Sequence, residues 1–78
     1  MKQSLEDLLA YLLELHIRGV QLELWCHPTV ERKFLEFPKF KEGDTPIAHV
    51  IPRKTMVSSV VVFRLQGHNE IFKVFRLE

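Results

Sequence analysis

At Gly19 the spacing of apolar residues along this 78-residue chain changes period, and that change constrains the fold more than any other feature. Before it, Leu5, Leu8, Leu9, Leu12 and Leu15 recur at the three- and four-residue intervals that line one face of an α-helix. After it, Val20, Leu22, Leu24 and Cys26 alternate with Gln21, Glu23 and Trp25, the two-residue period of a strand with one buried face. The boundaries agree. Ser4 is placed as N-cap with Asp7 three residues on, Glu6 and Asp7 suit the positive end of the helix dipole, and Arg18-Gly19 suits a helix C-terminus. Leu13 and Ile17 widen the apolar stripe beyond what one sheet face covers, which leaves extra core contact or a second interface as readings.

Downstream the pattern predicts strands. His27-Pro28-Thr29 ends the first one, because proline has no N–H to give a central ladder. Residues 30–37, VERKFLEF, read as a second strand, although both of its faces are mixed and the register is open. Residues 38–46, PKFKEGDTP, read as a surface loop with Phe40 as an unexplained aromatic. IAHVI, 47–51, reads as a short strand stopped or bulged at Pro52. MVSSVVVFRLQ and NEIFKVFRLE then form a hairpin about Gly67-His68, with Phe63 opposite Phe72 and Val61 opposite Val74. That register sets Val60, Val62 and Arg64 against Phe75, Lys73 and Ile71 on the other face. The expected fold is α+β: a single domain over residues 1–78, with an N-terminal helix packed on a four- to five-stranded, mostly antiparallel sheet in two layers.

Size and composition set limits. Seventy-eight residues hold one core, and 46% hydrophobic residues with six Phe can build it. Self-association is a common remedy for the marginal stability of so short a chain, since one cysteine offers no disulfide framework. Glu6, Asp7 and Glu14 interrupt the N-terminal apolar stretch, so it reads neither as a signal peptide nor as a membrane span, and the expected location is the cytoplasm. Net charge is only +1, but residues 45–78 carry five bases against two acids. Arg53, Lys54, Arg64, Lys73 and Arg76 therefore form a candidate anion- or nucleic-acid-contacting set.

Cys26-His27 suggests a thiol–imidazole pair, yet neighbours in a strand point to opposite faces, so the two cannot meet directly. His16, His27, His49 and His68 lack short metal-ligand spacings, and no second cysteine exists. No nucleophile elbow, phosphate loop or Walker-type lysine occurs. The reading is therefore of a chain without catalytic, metal or cofactor site. Trp25 lies away from the apolar face of its strand, and Val60, Val62, Ile71 and Phe75 make a second apolar surface on the hairpin.

LLAYLLELHIRGVQLEL followed by FLEFPK resembles the opening of TubC-type docking domains, small protein-interaction modules of peptide-synthetase lines. The resemblance covers about half the chain; beyond it the sequence reads as strands where that family has helices. The expected function is a non-catalytic protein-interaction module, a small adaptor or inhibitor-like protein. It would act through an exposed sheet face or edge as a homodimer, with Trp25, Val60, Val62, Ile71 and Phe75 as contacts. Nucleic-acid binding by the basic hairpin is the alternative, and a small ribonuclease-like enzyme comes third. A membrane partner is not expected.

Overall fold

Ser4 caps the first helix as its position suggests: its backbone is extended and its hydroxyl accepts the Asp7 N–H at 3.1 Å. The computed structural model describes residues 2–78. In chain order it has β1 (Lys2–Gln3), α1 (Leu5–Ile17), β2 (Leu22–Cys26) and α2 (Pro28–Leu35), then a 3-10 turn (Pro38–Phe40). There follow β3 (Lys41–Glu42), β4 (Thr45–Pro46), β5 (His49–Pro52), β6 (Val60–Leu65) and β7 (Ile71–Leu77). Gly19, at φ +82°, takes the left-handed conformation just past α1 that a side chain would resist.

The α+β class holds, but the sheet is mixed. Its five strands run in the order β1-β7-β6-β2-β5, with β3 and β4 apart as a small hairpin. β1 pairs with β7 and β2 with β5 in parallel, while β6 is antiparallel to both its neighbours. β6 alone therefore runs against the other four. Parallel neighbours need a crossover, and α2 lies in the one between β2 and β5.

That second helix replaces the strand expected over residues 30–37. His27 is its N-cap: its backbone is extended, and its Nδ1 accepts the Thr29 N–H at 3.1 Å and lies 2.8 Å from the Thr29 hydroxyl. Pro28 stands at the start, where a missing N–H costs nothing. Val30 and Phe34, four residues apart, are both buried. The mixed faces of the strand reading were a helical stripe projected onto the wrong period.

The expected loop over 38–46 is likewise structured. Phe40 is fully buried with its ring 5.3 Å from that of Phe34, and its carbonyl accepts the Ile47 N–H at 2.8 Å. Leu13, one of the residues that widened the stripe of α1, packs against the core, while Ile17 stays 81% exposed.

The β6–β7 hairpin forms in a different register. His68 N–H bonds to Leu65 carbonyl, so the tight turn is centred on Gln66-Gly67, with Gly67 at φ +82°, and the chain reaches β7 only at Ile71. Arg64 pairs with Ile71 as expected, but a bulge follows. Beyond it Phe63 faces Lys73, Val62 faces Val74 and Val61 faces Phe75. The extra residue, Phe72, moves every later side chain of β7 to the opposite face.

One cluster forms the core. Leu8, Leu9 and Leu12 of α1 and Val30 and Phe34 of α2 pack on Leu22, Leu24, Cys26, Val61 and Phe63. Tyr11, Phe63 and Phe75 meet at one end, with Phe63 and Phe75 centroids 4.8 Å apart and Tyr11–Phe75 5.5 Å apart. Both helices thus cover a single face of the sheet.

Candidate interaction face

Strand alternation decides what lies on the other face. Leu22, Leu24 and Cys26 are buried against the helices, so Glu23 and Trp25 point away from them. Pairing carries this across the sheet: Trp25 faces Val62 on one side and Ile51 on the other, and Val62 faces Val74. Ile51, Trp25, Val62 and Val74 therefore make one apolar row across four strands, on the side away from the two helices, with no helix over it among the described residues. A parallel row holds His49, Glu23, Arg64 and Ile71, and a third holds Val60, Arg76 and Lys2.

Trp25 is the centre of this face. Its indole N–H donates to Glu23 Oε1 at 3.2 Å. The Arg53 guanidinium carbon lies 4.4 Å from the ring centroid and that of Arg64 4.8 Å, both within cation–π range. Arg64 Nη2 donates to the His68 carbonyl at 3.2 Å, while its Nε is buried without a hydrogen-bond partner. Among the described residues, Lys2, Arg53, Arg64 and Arg76 form no ion pair; the two salt bridges, His16–Glu42 and Arg18–Glu14, lie on the helical side. Seven of the ten acidic residues lie in α1, α2 and the segment from Glu36 to Asp44, outside the five-stranded sheet. With Arg18 just past α1, those segments also carry Arg32, Lys33, Lys39 and Lys41, so the helical layer is net acidic and the five-stranded sheet net basic.

Of the residues expected to contact a partner, Trp25, Val60, Val62 and Ile71 share this face, and Ile71 is 59% exposed. Phe75 does not: it is 6% exposed and packs on Tyr11 and Phe63, because the bulge turned it inward. Of the basic set, Arg53, Arg64 and Arg76 gather here. Lys73 is on the covered side, its Nζ 5.3 Å from the Tyr11 ring and 5.5 Å from Phe75, and Lys54 sits in the turn after β5. Sequence reasoning missed Ile51 and Val74. Counting alternation backward from the apolar Leu77 and Phe75 would have placed Val74 opposite them, beside Val62.

The ELWCHP segment, residues 23–28, carries no reactive pair. Cys26 is fully buried; desolvation first, and then the Glu31 charge, pushes its thiol from the ordinary 9.0 up to about 11. His27 is engaged with Thr29 as a cap. His16 Nε2 lies 3.0 Å from Glu42 Oε2 beside a cleft of about 520 Å³, whose wall also includes His49 and Glu31. No group of three His, Cys, Asp or Glu residues suited to a metal ion occurs among the described residues, nor a helix long and apolar enough to cross a membrane. No protein-family model matches the chain, and no curated protein or solved structure matches it either.

Proposed function

We propose that this chain is a non-catalytic protein-interaction module, an adaptor or inhibitor-like protein of the cytoplasm, that works by laying the uncovered face of its sheet on a partner protein. The Ile51–Trp25–Val62–Val74 row carries the reading. An apolar band continuous across four strands, centred on a tryptophan and rimmed by arginines, has the composition of an interface core. The lone thiol, buried and protonated, suits a reducing compartment. The test is capture from host extract with the tagged chain, Val62→Asp on the open face and Glu14→Lys on the helical layer. A protein retained by the parent and by Glu14→Lys, and lost with Val62→Asp, supports the reading. Identical proteins on all three overturn it.

Self-association belongs to a sheet edge, not to this face. The β5 edge is blunted. Arg53 N–H bonds to Cys26 carbonyl, so by alternation the position of Pro52, which has no N–H, faces outward. The β7 edge is open: β1 covers it only at Arg76 and Leu77, leaving Ile71, Phe72 and Val74, all exposed, along the unpaired stretch. Light scattering on the eluting protein at micromolar concentration should give a dimer, and Val74→Pro, which removes an outward N–H, a monomer. A parent chain that elutes as a monomer throughout refutes dimerisation.

A further inference from the structure

The geometry points to an acidic polypeptide segment, with aliphatic or aromatic residues among its carboxylates, as the occupant of the open sheet face. This rests on the reading of that face as a protein-docking surface. Four cations, Lys2, Arg53, Arg64 and Arg76, surround the apolar row, and among the described residues none has an ion-pair partner. Of the carboxylates on this side, Glu23 is occupied by the Trp25 indole N–H, and Glu78, two residues beyond Arg76, forms no ion pair with any of the four. The charge is therefore uncompensated from within and complements an acidic surface.

The occupant's class follows from how the charges are held. Arg53 and Arg64 lie over the Trp25 ring, and a guanidinium that rests on an aromatic keeps in-plane N–H groups free for a carboxylate fork. The Arg64 Nε is buried and its Nη2 already donates to the His68 carbonyl, so Arg64 meets a carboxylate through its remaining Nη protons, whereas Arg53 offers its full fork. A nucleic-acid base would have to displace a guanidinium to stack on that ring, and the remaining apolar positions, Ile51, Val62 and Val74, are aliphatic and give bases no π-surface. Aliphatic side chains of a peptide find good partners there. A second copy is excluded as the occupant, because stacking two such faces sets the four cations of one against the four of the other.

The experiment uses the full chain labelled with nitrogen-15 and a short synthetic peptide of Asp and Glu around a Leu-Phe pair. Controls are the same peptide with Lys for every acid, and single-stranded DNA. The acidic peptide should shift amide resonances of β2, β5 and β6, bind more weakly as salt rises, and lose about tenfold in affinity with Arg53→Ala and again with Arg64→Gln. Arg53→Lys should fall between, since it keeps charge but not the planar fork. Equal binding of the acidic and basic peptides, tighter binding of DNA than of the acidic peptide, or affinity unchanged in the arginine variants overturns the inference. Circular dichroism on each variant separates lost binding from lost fold. If host-protein capture survives Arg53→Ala with Arg64→Gln yet is abolished by Val62→Asp, the docking face stands and its acidic occupant falls. If Val62→Asp changes nothing, the docking face itself falls.

Discussion

On its covered side the sheet presents Leu22, Leu24, Val61, Phe63 and Phe75 to two helices, and none of them is more than 6% exposed. On its open side, Trp25, Val62 and Val74 of those same strands and Ile51 of β5 are left without a layer: Arg53 and Arg64 lie on the Trp25 ring, Glu23 accepts its indole N–H, and Val74 is 52% exposed. Both faces are apolar enough to be buried, but only one has been given a layer. The folding free energy is therefore concentrated on the covered face. The open face is free to change its residues without unfolding the chain, which is what a binding surface needs.

Thiol chemistry gives the largest expected difference between the faces. Cys26 is fully buried on the covered side of a central strand, so its reaction with Ellman's reagent requires opening of the sheet. The native protein should react at least ~10³-fold more slowly than the urea-unfolded chain, given ordinary domain stability. Rapid native labelling would show that the covered face is not closed. The pH dependence has a defined sign. The unfolded thiol ionises near 9.0 and the folded one near 11, so between those values the unfolded chain binds fewer protons. This contribution is fully present below pH 9.0 and is lost as pH rises toward about 11. Urea midpoints measured across that window should decline less for Cys26→Ala than for the parent.

Neighbouring residues of β6 test the same contrast at single-residue scale. Phe63→Ala should destabilise by about 3–5 kcal/mol, because the ring is fully buried and packs on both Tyr11 and Phe75. Val62→Ala, one residue away and on the open face, should cost less than about 1 kcal/mol. Chemical denaturation of the two variants measures both. Equal losses would mean that the open face is already covered in solution.

Where the sequence was readable, local chemistry and period agreed. α1 had a cap, a stripe and a terminal glycine that pointed to one answer, and β2 alternated cleanly from Leu22 to Cys26. α2 was illegible because its signals resembled those of a strand end. His27 caps through an imidazole nitrogen rather than a hydroxyl or carboxylate, and Pro28 serves equally to stop a strand or to start a helix. Val30 and Phe34 are its only buried residues, too few to establish a period by themselves. The open face was half legible. Trp25 and Val62 followed from simple alternation, whereas a count run forward from the turn misplaced Val74 and Phe75 at the Phe72 bulge, and only a count run back from Leu77 avoids it. A bulge is set by the demands of both strands together, so it is invisible from either one.

The smallest effect concerns the cap that hid α2. His27→Ala removes the acceptor of the Thr29 N–H and should destabilise the chain by about 1 kcal/mol, with His27→Asp restoring most of it, since an aspartate fills the same role at an N-cap and also suits the helix dipole. The consequence should be unequal across the molecule. α2 supplies Val30 and Phe34 to the covered face near Cys26 and contributes nothing to the open one. Loosening it should therefore speed thiol labelling of Cys26 in His27→Ala while the fluorescence of Trp25, held by Arg53, Arg64 and Glu23 on the opposite side, stays that of the parent. If labelling and fluorescence change together, the sheet opens as one unit and its two faces are not energetically separate.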